Sequence, residues 1–538
     1  MKKSLLGLLC LAPFLGWAQL NYPSYANLTS EIQQAASSAR SVTQVIGKSF
    51  GGEEIRVIKI ESSASPKPTL LIVAGIDGKH PAGTLSALQL AKNLQSLPSD
   101  SLTALMRERS IWIVPLLNPD AYKRNIASGH WQSGNARVID NDRDGRIDED
   151  PAQDLNNDGI IAQMRVTTAA GGYVAHDTYP HYLIPNERDK GQKGVYALYT
   201  EGKDADKDGL FGEDGAAGVN INRNFTFNYP AFTSESGEYA ASEPETRAIV
   251  DFVFDNPQIA TVLHFGLDNN LSEPVRYDSR KASERIISAW LEKDAQAAAQ
   301  VSHLYNKTTS SLGQGPKFSE SAGNFSNTAY YHMGKFSFTT PLWWPALTDT
   351  ASTTKESAKG KSGDALFLQW LAANNVSGAL LPWVKVDHPD FPNQTVEVGG
   401  LVEVFRNNPP AAFLDETTKL HTDFVLQLLN SMATLQFDQP VVTALGENIY
   451  RIDLRVANVG LLPTYPEIAD KIKHVAKMKA VCALQKNQKF LSGKRLQLYS
   501  ALHAGEALSL SWLVQGKGVV EITAGCPTAG EQTIKVTL

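Results

Sequence analysis

Between about Tyr25 and Leu435, short apolar runs alternate with amphipathic stretches. Glu54 to Glu61 (EIRVIKIE) alternates polar and apolar positions with period two, the pattern of a strand with one buried face. Thr69 to Ala74 (TLLIVA), Ser110 to Leu117 (SIWIVPLL) and Gln258 to His264 (QIATVLH) are rich in consecutive apolar residues, as expected of strands buried on both faces. Between them the spacing is helical. Pro81 opens a pattern that runs through Leu94, Ser242-Glu243-Pro244-Glu245 has the form of a capping box, and Leu414 to Leu435 is amphipathic. This alternation predicts an α/β domain with a mostly parallel or mixed sheet. After Phe437 the rhythm changes. Segments such as Asn448 to Val456 and Leu508 to Leu513 alternate between polar, Gly-containing turns, which predicts a separate β-sandwich over 437–538. Its ordinary role is packing or stability, since a fold alone assigns no function.

The N-terminus has a different logic. Lys2 and Lys3 precede an apolar run from about Leu5 to Leu15, and Gly16 and Ala18 place small residues at the −3 and −1 positions of a cleavage site. Residues 1–18 therefore read as a signal peptide, leaving 19–436 for the α/β domain and predicting export to a periplasm or the cell exterior. The run is too short to span a bilayer, and no later stretch is long and apolar enough to do so. Removing the signal leaves two cysteines, Cys482 and Cys526. One bridge within the sandwich and two buried thiols both suit that count.

Composition narrows the function classes. The chain has 538 residues, 42% hydrophobic and 20% charged, with a net charge of −6. That balance gives no long-range attraction to nucleic acid or anionic lipid, and there is no basic stripe. Nothing in the sequence sets an oligomeric state. Acidity is instead concentrated in three segments with the form D-x-[DN]-x-D-G. The first carries Asp140, Asp142 and Asp144 and continues to Asp148; the second carries Asp154, Asn156 and Asp158; the third carries Asp204, Asp206 and Asp208. Alternating oxygen donors before a turn glycine can wrap calcium, although none has the glutamate at the twelfth position of an EF-hand. The bland alternative is a solvated acidic loop.

The most informative stretch is Gly75-Ile76-Asp77-Gly78-Lys79-His80-Pro81-Ala82-Gly83, between a buried strand and a helix. Open α/β sheets place their ligands at such strand ends. Asp77 and His80 are competent zinc ligands, and His264, at the end of another buried strand, is a third.

With these residues in view, the chain resembles the zinc carboxypeptidase (carboxypeptidase A-like) family over roughly 25–435. The resemblance is carried by Ile46-Gly47-Lys48-Ser49 before the first alternating strand, by Leu117-Asn118-Pro119-Asp120, by Asn220-Ile221-Asn222-Arg223-Asn224-Phe225 and by Ser242-Glu243-Pro244-Glu245-Thr246. It implies a carboxypeptidase-like mixed-sheet domain, zinc at Asp77, His80 and His264, and a peptide or cell-wall peptide substrate. It also implies that Asn222 and Arg223 hold the substrate's terminal carboxylate. Two departures qualify that expectation. The family's His-x-x-Glu motif is represented by Asp77-Gly78-Lys79-His80, so the ligand types are exchanged. Where the family carries a general-base glutamate, this chain has Thr340 or Pro341, neither of which can shuttle a proton. Glu320, Asp268 and His332 are possible substitutes. Three functions follow: a working metallocarboxypeptidase or related amidase, a non-catalytic protein that binds peptides in the same cleft, and a mainly structural exported protein.

Overall fold

The computed structural model describes residues 22–37, 41–61, 66–139, 150–205, 207–212, 218–346 and 363–538. The expected signal segment 1–18, with Cys10, lies outside them, as do Asp140, Asp142, Asp144, Asp148 and Asp206.

A six-stranded mixed sheet forms the centre of the α/β domain. In spatial order its strands are Ser41–Lys48, Glu54–Ile60, Ser110–Val114, Thr69–Ala74, Ile259–Phe265 and Phe336–Thr340. The first three pairs from the Ser41 edge are antiparallel, antiparallel and parallel, and the remaining two are parallel. Thr69–Ala74 and Ile259–Phe265 are buried at every position, in keeping with their unbroken apolar runs. Each face of the sheet has its own core. One side chain set, including Ile58, Leu70, Ile72 and Leu263, packs with Leu88, Val301 and Leu428 of the helices Pro81–Ser96, Glu292–Thr308 and Ala411–Ser431. The alternate set, including Val57, Leu71, Val73 and Val262, packs with Ile249 and Phe325 of Pro244–Asp255 and Phe325–Tyr331. Parallel pairing of the last three strands brings their C-terminal ends to one edge, where the candidate residues sit.

The capping-box expectation at Ser242 is corrected. Glu243 is the N-cap and makes no side-chain cap bond. Its buried carboxylate instead accepts from Arg137 Nε at 2.9 Å and Asn135 Nδ2 at 2.8 Å, so tertiary pairing takes the side chain that local capping would have used.

A second six-stranded sheet has the order Leu380–Val386, Val396–Leu401, Gln163–Thr167, Tyr196–Thr200, Tyr173–Ala175, Leu183–Pro185. Chain segments more than two hundred residues apart meet in it. Arg165 locks the junction. Its guanidinium lies 4.4 Å from the ring centroids of both Tyr196 and Trp383, and its Nε is 2.8 Å from Glu397 Oε2.

The C-terminal region is a β-sandwich. One sheet has the order Leu435–Phe437, Ile449–Asn458, Ala507–Gln515, Lys489–Ser492, with Val441–Gly446 also paired to Ile449–Asn458. The other has the order Leu496–Tyr499, Met478–Ala483, Val519–Cys526, Gly530–Thr537. Inward residues of both, among them Ile452, Leu454, Trp512, Ala480 and Ile522, form one core. Cys482 and Cys526 are separate buried thiols. Cys482 pairs with Ile522 in the ladder, four residues along the strand from Cys526, so the two sulfurs cannot meet.

Candidate active site

The site begins where Thr69–Ala74 leaves the sheet. Gly75 has φ +62°, and a Cβ there would lie 2.5 Å from Thr84 Oγ1 and 3.0 Å from the Leu116 backbone, so glycine alone permits this exit. The chain then turns tightly. Asp77 Oδ1 accepts from Lys79 N at 2.8 Å and from Ser133 Oγ at 2.8 Å. One oxygen of the Asp77 carboxylate is thereby engaged in the turn that presents it.

His80 caps the helix Pro81–Ser96 and turns its ring inward, 1% exposed. Its Nε2 lies 3.2 Å from the Pro341 carbonyl. A carbonyl only accepts, so Nε2 carries the proton and Nδ1 the lone pair. Nδ1 is buried without a hydrogen-bond partner and lies over Gly83, where a Cβ would come within 2.9 Å. Burial holds the imidazole below the ordinary histidine range, against the opposing pull of Asp77 and the nearby carbonyls.

His264 is fully buried next to the end of Ile259–Phe265. Thr339 Oγ1 donates to the Asp268 carbonyl at 3.1 Å, so its 3.4 Å contact with His264 Nδ1 places the ring proton on Nδ1. The lone pair on Nε2 is buried and unpartnered. Burial, reinforced by neighbouring His80, pushes its pKa down to about 3. The ring fills the space a side chain at position 266 would need: a Cβ on Gly266 would fall 2.2 Å from Nε2.

Two neutral imidazoles with buried lone pairs thus lie near each other, but no third donor joins them. Among the described residues, no three His, Cys, Asp or Glu side chains are grouped so as to hold a metal. Asp77, His80 and His264 are therefore not brought together as a three-donor set. Each of the two imidazoles has one ring nitrogen held by a neighbour and the other free, the arrangement of a metal ligand, while Asp77 Oδ1 is engaged in its own turn. A third convergent donor is what a zinc ion would still need here.

The expected position of the general base is closed. His421 Nδ1 donates to the Thr417 carbonyl at 2.8 Å, so its Nε2 accepts from Tyr305 OH at 3.0 Å, and Tyr305 accepts from Thr340 Oγ1 at 2.6 Å. Thr340 is consumed in this buried relay, and Pro341 offers only its carbonyl, to His80. Of the possible substitutes, Glu320 is bonded to Asn327 Nδ2 at 2.8 Å and His332 to Thr226 Oγ1 at 2.7 Å. Asp268 accepts from Asn222 Nδ2, Ser321 Oγ and Asn324 Nδ2 at 3.0, 3.2 and 3.0 Å, and burial raises its pKa.

Asn222 and Arg223, expected to hold a carboxylate, are also internally engaged. Asn222 gives Nδ2 to Asp268 and accepts from Phe325 N at 3.1 Å through Oδ1. Arg223 pairs with Glu235 at 3.3 Å, with side-chain exposures of 38% and 59%. Such a partly solvated pair is weak enough for an incoming anion to displace. Glu235 lies on the wall of a cleft of about 460 Å³ that also contains Lys79, Trp131, Ser133 and Asn220. A neighbouring cleft of about 580 Å³ shares Lys79, His130, Trp131 and Thr200, and adds Tyr199, Val402 and Asn407 from the second sheet side. Sequence reasoning missed Trp131 and Tyr199, which carry no motif; Lys79 was visible inside one.

The acidic segments give calcium no support within the described residues. Asp154 accepts from Asp158 N and Gly159 N at 3.1 and 2.8 Å, while Asn156 Nδ2 donates to Asp158 Oδ2 at 2.9 Å. Asp204 Oδ2 accepts from Gly209 N at 3.1 Å and Asp208 Oδ1 from Leu210 N at 2.7 Å. Of these bonds, only Asp208–Leu210 is an Asx turn; Asp154 and Asp204 instead reach the turn glycine five residues on. Glu201, absent from the sequence reading, anchors the second segment by accepting from Leu155 N and Ala162 N at 2.7 and 2.8 Å, and burial pushes its pKa up to about 7.

The fold is that of an α/β protein with its candidate site at the ends of parallel strands. The chain belongs to the zinc carboxypeptidase family, whose model matches residues 26–347, and residues 434–537 match a domain of unknown function. A zinc carboxypeptidase of Saccharothrix mutabilis subsp. capreolus is 21% identical over 119 residues, covering 21% of this chain and 27% of that protein. Carboxypeptidase D of Anas platyrhynchos is 33% identical over 144 residues, covering 24% of this chain and 9% of that protein. The chain thus spans less than a third of the length of either relative. Among solved structures, bovine thrombin-activatable fibrinolysis inhibitor, in complex with tick carboxypeptidase inhibitor, aligns with a TM-score of 0.42 at 12% identity, over 76% of this chain and 97% of that one. Carboxypeptidase A of Helicoverpa armigera aligns with a TM-score of 0.36 at 16% identity, over 66% and 74%. Among the described residues, no helix is long and apolar enough to cross a membrane.

Proposed function

We propose that this chain is an exported, non-hydrolysing member of the zinc carboxypeptidase family that binds peptides through their C-terminal carboxylate. The observation that carries the reading is the closed Thr340–Tyr305–His421 relay: where the family carries its general base, Thr340 is hydrogen-bonded to Tyr305 and Pro341 has no side-chain group that can move a proton. Arg223 supplies the carboxylate contact once Glu235 is displaced, and the cleft beside Trp131 accepts the preceding residues.

Calorimetric titration tests the binding half of the reading. Peptides with a free C-terminus bind, and their amidated counterparts or the R223A protein bind roughly tenfold or more weakly, as for loss of a charge-assisted contact. Equal affinity for free and amidated peptides contradicts it.

One observation favours the catalytic alternative: His80 Nδ1 and His264 Nε2 are buried lone pairs without partners. Zinc-dependent turnover through them would require Asp77 or another donor to join them.

A further inference from the structure

The sandwich meets the α/β domain around a cavity of about 350 Å³, lined by residues of both, including Phe254, Lys335, Tyr465, Lys473, His474 and Thr528. Lys335 lies in the turn between Phe325–Tyr331 and Phe336–Thr340 and is only 7% exposed. Its Nζ has one hydrogen bond, a long one of 3.5 Å to the Pro257 carbonyl. Among the described residues, no carboxylate is paired with it. The titratable group that acts on it is Cys526, a buried thiol whose own pKa is raised, so it brings no negative charge at neutral pH.

A buried ammonium is ordinarily paired, because the low-dielectric interior penalises an isolated charge. Here the penalty is visible: burial lowers Lys335 to about 8. The other charged groups at this cavity have the same sign. Lys473 is exposed at its mouth, and His474 stands edge-on to Phe254 at 4.7 Å, its protonation disfavoured by burial and then by Lys335. The walls are held close. Gly334 has φ +65°, and a Cβ there would meet Ala469 Cβ at 2.8 Å, so only glycine lets the two domains approach this tightly.

We propose that this interdomain cavity binds a small oxyanion, a carboxylate or a phosphate, with Lys335 Nζ as its buried counter-charge and Lys473 at its entrance. The site is separate from the candidate active site and does not depend on whether the protein hydrolyses peptides. It would couple ligand binding to the docking of the sandwich.

The test titrates inorganic phosphate and, separately, acetate into the full-length protein at constant ionic strength held with chloride, read by calorimetry. Saturable binding is expected for at least one, the tighter anion naming the class. K335M, which keeps the length of the side chain, weakens it roughly tenfold or more, and K335R retains it better than K335M. If K335M does not fold, as judged by circular dichroism, the K473S/H474A protein serves instead, with weaker binding expected. No saturable binding of either anion, or unchanged affinity in a folded variant of the cavity, overturns the proposal.

Discussion

At the residue scale, the site is dominated by buried histidines whose protons are fixed by their partners. His421 is the clearest case: it is 1% exposed, bonded at both nitrogens, and held down to about 4 by burial. Its folded pKa lies below the unfolded value of about 6.5, so the unfolded chain binds the extra proton between those limits. Its contribution to stability is therefore complete above about pH 6.5 and is lost as pH falls toward 4. Equilibrium unfolding of wild type and H421Q across that range should show wild type losing stability relative to the variant by roughly 1.4 kcal/mol per pH unit; parallel curves would contradict the assignment. Gly266 gives a steric counterpart. Ala at this position drives a methyl into the His264 ring and should lower unfolding stability by about 1–3 kcal/mol, read from the denaturant midpoint. The sequence located these residues because Asp77, His80 and His264 sit at strand ends. It could not tell where the side chains point. Ser133, which holds Asp77, is distant in sequence, and the Pro341 carbonyl that holds His80 is a backbone group with no signature.

At the element scale, the central sheet was legible because apolar runs such as Thr69–Ala74 need no partner to be recognised. The second sheet was not. Gln163–Thr167 is short and polar at its ends, and its buried pairing with Val396–Leu401 is a long-range contact invisible to local periodicity. The acidic segments are a different case: Asp154 and Asp204 bond to their own loops' backbone, and Asp140, Asp142, Asp144, Asp148 and Asp206 lie outside the described residues. Arg165 is what makes the second sheet cohere. Truncating it to Ala removes two ring contacts and leaves Glu397 without its partner, and should lower stability by about 2–4 kcal/mol. A loss within ±0.5 kcal/mol, the range of an ordinary surface change, would show that the junction matters little.

At the scale of the whole molecule, Asp294 joins the two domains. Its carboxylate accepts from Tyr330 OH at 2.8 Å and from Glu467 N and Ile468 N of the sandwich region at 2.8 and 3.2 Å. D294A uncovers those backbone donors and should cost about 1–3 kcal/mol, with faster proteolytic cleavage between helix Ala411–Ser431 and the sandwich. The division at 436/437 that periodicity suggested is a proposal such cleavage also tests. We propose that the fold of a zinc carboxypeptidase is retained here without its hydrolysis. The most direct measurement is release of C-terminal residues from a peptide panel by full-length protein incubated with zinc. No turnover above that of the D77A/H80A protein is expected. Chelator-sensitive turnover that is abolished in D77A/H80A would contradict it.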